Sequence, residues 1–431
     1  MSTTTVHMAH DAHAGQEPAL QVRQIRWEAA RAKPVAAISF ALGVVGIAAT
    51  LIGTRSEPTQ AFGSYLFAYL LFLSLALGSL FFVVLHHITG ARWGVTVRRI
   101  AEAIMSTLPL FAVLFVPLVF GMTHVYEWMS PEMAHDEAIQ AKAGYLNPTF
   151  FGIRAVIYFA VWSGLAVYFA RMSAKQDLGN GPAILAKMKT MSAPAIALYG
   201  LTFTFAAFDW VMSLAPHWFS TIFGVYVFAG GIQGALALII VVTMLLQRGG
   251  LLRGIVTIEH FHDLGKLLFG FTIFFAYIGF SQYFLIWYAN IPEETFWYLA
   301  RWEDGWAPVS LGMIFFGFAL PFAWLLTRHA KRNLGPLLVG AIIVLIGRVF
   351  DAYWLVMPSL DVAHESPAVA GAVEAIGHAT RHGPHLAWFT VTAVLGIGGM
   401  FVGLLALRLS KHPLIPVGDP HLRSSLDFEN A

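Results

Sequence analysis

The chain has 431 residues, of which 58% are hydrophobic and only 12% are charged, with a formal net charge of +2 and a mean hydropathy of +0.68. Soluble domains typically carry about 25% charged residues, so this composition indicates a polytopic membrane protein, with the lipid bilayer as its surroundings and no nucleic-acid partner. The sequence contains no cysteine, which excludes thiolate-bound iron–sulfur clusters, thioether-attached haem and disulfides within this chain.

Residues 1–33 are polar and include three histidines, His7, His10 and His13. No short apolar core with a small-residue cleavage site precedes Pro34, so we expect a cytoplasmic tail and not a signal peptide. A metal site on the three histidines is the alternative to a disordered tail.

The rest of the chain is dominated by apolar segments of the length that a membrane-spanning helix needs, about 20 residues. The fold class that this pattern predicts is all-α integral membrane, since only helices satisfy the backbone over such runs. The ten predicted spans are 34–53, 62–88, 104–123, 149–172, 194–215, 219–247, 265–289, 306–327, 335–358 and 385–408.

Basic residues alternate between the two sides of these spans. The amino-terminal tail, alternate loops and the carboxy-terminal tail hold 20 of the 26 Lys and Arg residues, and the opposite loops hold four. Because cytoplasmic loops are enriched in Lys and Arg, we expect both termini in the cytoplasm.

Two buried aspartates suggest an internal repeat. Asp209 and Asp351 each follow a phenylalanine and each lie 15 residues after a proline, Pro194 and Pro336. Parallel repeats are a known membrane architecture, and this one predicts two parallel four-helix bundles with two peripheral helices. The predicted divisions are a tail at 1–33, a peripheral span and loop at 34–61, bundles at 62–215 and 216–358, an outer loop and last span at 359–408, and a tail at 409–431.

A charge inside the bilayer is costly, so such residues usually face the protein interior and carry function. Asp209 has no cation in its own span, whereas Arg348 precedes Asp351 by three residues and shares its helical face. Arg348 could pair with Asp351, with Asp209 or with both. Alternatively, Asp209 is held protonated. The aspartates then either lock helices together as ion pairs or take part in a proton relay or a quinone-linked reaction.

Other ionisable residues gather at two depths. His124 and Glu127 lie near the outer end of the third helix, and their i, i+3 spacing predicts that they share one helical face. The candidates near the cytoplasmic end are His86, Glu102, His262 and Asp263. Together they suggest two halves of a proton path separated by an apolar middle. The histidines lie in tails, loops or helix ends, so we expect no haem within the membrane, and the absence of a GxxxxGK[ST] loop excludes a P-loop ATPase.

Four stretches together resemble a known family. They are "AFDWVMSLAPHWFSTIFGVYVFAGG", "SYLFAYLLFLSLALGSLFFVVLHH", "VRRIAEAI" and "FHDLGKLLFGFTIFFAYIGFSQYFLIWYANIPEE". From about Pro34 to the last span, the chain resembles the smaller of the two quinol-oxidoreductase-like integral membrane subunits of bacterial alternative complex III. That smaller subunit belongs to the polysulfide-reductase membrane-subunit (NrfD-like) superfamily.

The resemblance implies a multi-pass subunit in the bacterial inner membrane, within a complex that oxidises quinol and passes electrons to a cytochrome c-type acceptor or an oxidase. It implies as partners a larger NrfD-like paralogue, an iron–sulfur subunit, a multihaem c-type cytochrome and other small membrane subunits. Iron–sulfur clusters and c-type haems would lie in those partners, and the chain would not be catalytic alone. The family's buried polar positions correspond to Asp209, Arg348 and Asp351, with His124 and Glu127 as further candidates. The resemblance leaves open whether this chain binds a quinone and whether it conducts protons.

Two other functions compete with this one. A secondary transporter would place its site at the repeat interface, but the prolines that interrupt spans, Pro109 and Pro117 in the third and Pro321 in the eighth, do not occupy matching positions. A purely structural membrane anchor would need no ion path at all.

Overall fold

The computed structural model describes residues 25–362, 383–384 and 386–430, without the side chains of residues 132, 134, 361 and 362. The three histidines of the tail lie outside this range. Over the part described, the chain consists of helices and their connections, with no strand. The long helices are α1 (Ala29–Gly53), α2 (Pro58–Thr89), α3 (Val95–Met105, Leu108–Leu114 and Val116–Val125 in series), α4 (Pro148–Gln176), α5 (Gly181–Trp210), α6 (Phe223–Arg248), α7 (Ile258–Ala289), α8 (Ala307–Ile314, the π-helical turn Phe315–Ala319 and Leu320–Leu325), α9 (Leu334–Val362) and α10 (Trp388–Lys411).

Nine of these helices are long and apolar enough to cross a membrane, and the bent helix α3 makes ten when it is counted as one span. The protein is therefore an all-α, multi-pass membrane protein, as the hydropathy predicts. Short helices lie in the connections: Glu137–Lys142, Pro292–Leu299, Arg328–Arg332 and Leu422–Leu426. We use the name basic end for the ends of the helices that carry most of the Lys and Arg residues, and far end for the opposite ends.

The same ring of helix contacts occurs twice along the chain. Helix α2 packs against α3 and α5, and α4 packs against both α3 and α5. Helix α6 likewise packs against α7 and α9, and α8 packs against both α7 and α9. Helix α2 also contacts α6 and α9, so the two sets of four helices meet along α2.

Helices α1 and α10 form a closely packed pair, and α10 also packs against α2. A Cβ atom on Gly46 would lie 2.6 Å from the backbone nitrogen of Gly396, and one on Gly399 would lie 2.7 Å from that of Gly43. Small residues at such spacing let two membrane helices approach closely. Gly396 and Gly399 belong to a glycine-rich run whose role is thus helix packing.

Three helices begin at least seven residues earlier than the hydropathy predicts. Helix α3 begins at Val95, α5 at Gly181 and α7 at Ile258, where the predicted spans begin at 104, 194 and 265. The added turns are polar, so a search for apolar runs omits them. Pro194, predicted to start the fifth span, lies inside helix α5.

Helix α9 continues through Pro358. A neighbouring arginine donates a hydrogen bond to the carbonyl that has no helical donor because of this proline. Proline has no backbone N–H, so the carbonyl of Trp354 loses its usual helical donor. Arg301, which is 1% exposed, donates from Nε to this carbonyl at 3.1 Å and from Nη2 to the carbonyl of Leu355 at 3.2 Å. Its guanidinium lies 3.4 Å from the centre of the Trp297 ring.

The carboxy-terminal residues 412–430 pack across the basic end and contact both sets of helices. Asp419 accepts a hydrogen bond from Arg98 Nη2 of α3 at 2.8 Å. The Asn430 side chain accepts one from Lys266 Nζ of α7 at 2.9 Å. The region predicted as a tail thus joins the two sets.

Candidate functional site

Asp209 lies in the last turn of α5 and is fully buried. Its carboxylate accepts hydrogen bonds from Arg154 Nε at 2.7 Å and Nη2 at 2.9 Å, and from the Tyr158 hydroxyl at 2.7 Å. Both partners lie on α4, one turn apart. A two-pronged contact of this kind is the strongest geometry for an arginine–carboxylate pair, so Arg154 supplies the charge that balances Asp209.

The interpretation that Arg348 neutralises Asp209 is therefore wrong. Arg348 forms an ion pair with Asp351 on its own helix, with Nη1 at 2.8 Å from Oδ2. The alternative of an Asp351 pair, visible in the sequence as the spacing i, i+3, is the one that the structure contains.

Arg154 is held in place from the far end. Tyr145, in the loop before α4, stacks its ring on the Arg154 guanidinium, with 3.8 Å between the ring centre and the guanidinium carbon. The Tyr145 carbonyl accepts a hydrogen bond from Arg154 Nη1 at 3.0 Å. Helix α4 starts here because the Asn147 side chain accepts from the backbone N–H of Phe150 at 2.8 Å and Pro148 follows as the first helical residue.

Asp351 forms the second cluster, at 1% exposure on α9. Its carboxylate accepts a hydrogen bond from the hydroxyl of Tyr226 on α6, in addition to the Arg348 ion pair. A Cβ on Gly230 would lie 1.9 Å from Arg348 Nη1, so glycine at this position makes room for the guanidinium.

The two clusters occupy related places in the two helix sets. The sequence Gly-x-Tyr-x-Phe-Ala occurs at 63–68 on α2 and again at 224–229 on α6. In this register Tyr69 stands where α6 has Gly230. Alignment of Asp209 with Asp351 places Ala206 where α9 has Arg348. Tyr69 donates to the Phe111 carbonyl of α3 at 2.9 Å, so the first set has a large side chain where the second set has the glycine that makes room for Arg348. The first set takes its arginine from α4 instead.

A small cavity of about 40 Å³ lies between the two sets. Ala206 and Trp210 line it from the first set and Arg348 lines it from the second. A site for one water needs about 10–15 Å³ of such space and polar partners. Trp210 Nε1 and Arg348 Nε are buried without a hydrogen-bond partner among the described residues and supply two donors there.

His124 and Glu127 do not share a regular helical face. Helix α3 ends at Val125, and Glu127 opens the following 3₁₀ turn, Glu127–Met129. His124 is exposed and stacks on Phe62 at 5.9 Å. Burial, with a smaller contribution from nearby Asp136, raises the pKa of Glu127 to about 7.

At the basic end of the first set, Glu102 belongs to an ion-pair network. Arg98 Nε donates to its carboxylate at 3.0 Å, and Arg99 Nε lies 3.2 Å from the other oxygen. His86 is buried nearby, and its Nε2 has no hydrogen-bond partner in the part of the chain described.

At the basic end of the second set, His262 and Asp263 lie in the first turns of α7. Asp263 forms an ion pair with Lys266, and His262 is 7% exposed with Nδ1 unpartnered among described groups. Neighbouring Glu259 pairs with Arg332. The nine predicted residues thus lie at five places: the two aspartate clusters, the far end of α3 with the turn that follows it, and one cluster at the basic end of each set.

Sequence reasoning missed Arg154, Tyr158 and Tyr226. One signal could have found Arg154: it lies within an apolar span without an acidic partner on its own helix, as Asp209 lies in its span without a cation. Among the described residues no group of three or more His, Cys, Asp or Glu side chains could hold a metal ion.

Comparisons with known proteins identify no family. No family model matches the sequence, and no curated protein matches it. The functional argument therefore rests on the residues and their geometry.

Proposed function

We propose that this chain is an integral subunit of a quinol:electron-acceptor oxidoreductase of the alternative complex III kind, in which it supports assembly and conducts protons. The chain would lie in a bacterial inner membrane with its basic end in the cytoplasm. Its two helix sets would be parallel four-helix bundles, with α1 and α10 peripheral. The partners proposed are a larger NrfD-like paralogue, an iron–sulfur subunit, a multihaem c-type cytochrome and small membrane subunits.

The observation that carries the proposal is the pair of buried Asp–Arg–Tyr clusters at related places in the two helix sets. Each cluster places a tyrosine hydroxyl in hydrogen-bond contact with a carboxylate. Charges in membrane interiors are rare and commonly belong to ion or proton paths. Carboxyl and phenol groups exchange protons within hydrogen-bond distance, so each cluster can accept a proton and release it.

The positions of the clusters suit a path with two halves. Glu102 and His86 at the basic end of the first set lie on α3 and α2, and Asp209 lies towards the far end on α5. The cavity between the sets is lined by Trp210 of the first set and by Arg348 of the second cluster, and each has a buried N–H without a partner among the described residues. Protons taken up at the basic end would pass to the far end when the clusters change their pairing.

We assign no quinone site to this chain. A cleft of about 520 Å³ between α7 and α8 is lined by aromatic side chains such as Phe275 and Tyr277. Three of its polar members already donate hydrogen bonds within the protein: Gln282 to the Tyr298 hydroxyl at 2.9 Å, Ser310 to the Arg301 carbonyl at 2.5 Å, and Tyr226 to Asp351. Quinol oxidation in the proposed complex would then belong to the paralogue.

A purely structural anchor is the second candidate function, favoured by the complete pairing of Asp209. All of its described contacts are those of a well-satisfied ion pair, which by itself locks α4 to α5. The transporter alternative would need interrupted helices at matching positions of the two sets. The first set is interrupted in α3, which bends by 59° at residue 115, and the second set has its π-helical turn in α8. Because α8 corresponds to α4 and not to α3, the two positions do not match.

Asp209→Asn separates proton conduction from anchoring. In the purified complex reconstituted in vesicles, we expect quinol-driven electron transfer to continue with fewer protons moved per electron, because asparagine keeps the volume and cannot carry a proton. The matched control is Asp427→Asn, the same change at an exposed carboxylate that lies 3.9 Å from Arg423, outside the proposed path. Equal proton-to-electron ratios in wild type, variant and control, with normal assembly, would establish the anchor.

A further inference from the structure

A cleft of about 380 Å³ opens at the basic end between α3, the last turns of α4 and the last turns of α10. Residues that follow α10, including Pro413 and Leu414, close one side. The cleft is separate from both aspartate clusters. It lies where helices of a membrane protein leave the apolar part of the bilayer.

The charge on the lining is strongly positive. Five of its side chains are cationic and one is a carboxylate, Glu102. The cations are Arg99, Arg171, Lys175, Arg408 and Lys411.

Two of these charged groups are already balanced. Arg99 pairs with Glu102 at 3.2 Å and with Asp177 at 3.1 Å. Arg171, Lys175, Arg408 and Lys411 form no ion pair with any described residue, and Arg408 Nε is buried without a hydrogen-bond partner among them. Four positive charges therefore face one cleft without a described counter-charge.

One of these cations, Lys411, acts on a neighbouring histidine. His412 caps the end of α10 and lines the cleft. Burial lowers the pKa of His412, and the charges of Arg99 and Lys411 lower it further. An anion bound in the cleft would oppose that effect.

Apart from Ser106 and His412, the rest of the lining is apolar. Ala103, Val167, Ala170 and Leu409 form an apolar wall of the cleft, to which α3, α4 and α10 each contribute. A free phosphate ion would make no favourable contact with these apolar side chains. A phospholipid has an anionic phosphate at the depth of the cations and acyl chains that would follow the wall.

We propose that this cleft binds an anionic phospholipid, with its phosphodiester held by Arg408, Lys411, Arg171 and Lys175 and an acyl chain along the Val167–Ala170 wall. Basic pockets between membrane helices are suited to such headgroups, and arginine binds phosphate oxygens through paired N–H groups. The lipid would fasten α10 to α3 and α4 at the membrane surface.

The test uses the full-length protein purified in mild detergent, freed of lipid and titrated with phosphatidylglycerol, phosphatidylcholine or inorganic phosphate. Binding is followed by native mass spectrometry and by the shift in thermal unfolding temperature. We expect phosphatidylglycerol to bind and raise that temperature, with phosphatidylcholine and free phosphate giving at least tenfold weaker effects.

Arg171→Gln and Lys411→Gln change exposed side chains, so folding should be retained. Each should weaken phosphatidylglycerol binding about fivefold, in line with the attraction of one basic residue to an anionic membrane surface. The control is Arg423→Gln, an exposed arginine outside the cleft that lies 3.9 Å from Asp427. The proposal is overturned if the cleft variants bind like the control, if phosphatidylcholine binds equally well, or if free phosphate gives the full stabilisation.

Discussion

Single residues in this protein show how far a buried charge can be read from its sequence neighbours. The Arg348–Asp351 pair is visible as an i, i+3 spacing, whereas the Arg154–Asp209 pair joins residues 55 positions apart. Pairing across helices depends on which helices meet and at what height, which one sequence does not contain. All four charged residues could be identified in the sequence, because each lies in an apolar run. The partner of Asp209 could be identified only from the packing of α4 against α5.

Glu127 supports a prediction at this scale, because its pKa of about 7 lies well above its ordinary value of 4.5. The folded protein holds this proton more tightly than the unfolded chain, so the resulting stabilisation is complete below pH 4.5 and is lost as the pH rises towards 7. Thermal unfolding measured from about pH 4.5 to about pH 8 should show that loss in the wild type and a flatter profile in Glu127→Gln.

The control for this measurement is Glu137→Gln, an exposed carboxylate on the short helix of the same connection. Its profile should match that of the wild type. If Glu127→Gln also retains the full wild-type pH dependence, Glu127 does not titrate as its burial requires.

At the scale of the helices, hydropathy located all ten spans but misplaced the starts of α3, α5 and α7. Helices α3 and α7 extend into charged turns whose side chains form ion pairs at the basic end, such as Arg98 with Glu102 and Glu259 with Arg332, and an apolar search rejects such turns. The added turns of α5 carry Lys187 and Lys189, which are exposed.

The internal repeat was detectable from two aspartates, yet the exchange of arginine between α9 and α4 was not. The exchange depends on one position of the facing helix. Glycine at 230 on α6 leaves room for Arg348, whereas the corresponding residue on α2 is Tyr69.

Gly230→Ala tests this exchange directly. A Cβ there would overlap the Arg348 guanidinium, so the arginine must move and its ion pair with Asp351 must loosen. We expect a loss of about 1–3 kcal/mol in stability, typical of overpacking a well-filled interior. Unfolding in a graded denaturing detergent measures it.

Gly200→Ala on α5 is the matched control, since nothing lies within 4 Å of a Cβ at that position. Alanine favours helix over glycine, so this variant should be as stable as the wild type or slightly more stable. Equal stability of the two variants would mean that Gly230 does not make room for Arg348.

At the scale of the whole molecule, the composition was enough to predict an all-α membrane protein, and the structure confirms it with nine to ten apolar helices among the described residues. The packed carboxy-terminal residues were not predicted, because 412–430 is polar and resembles an unstructured tail. Its contacts with Arg98 and Lys266 tie the two helix sets together at the basic end. Membership in a redox complex stays a prediction from four sequence stretches and the paired clusters.

The most direct test of that membership is purification through a tag on this chain in a mild detergent, with mass spectrometry of what accompanies it and a visible spectrum before and after quinol is added. We predict that a larger paralogue, an iron–sulfur subunit and a multihaem cytochrome co-purify, and that quinol reduces c-type haem bands. A stable but colourless protein that purifies alone would contradict the proposed function.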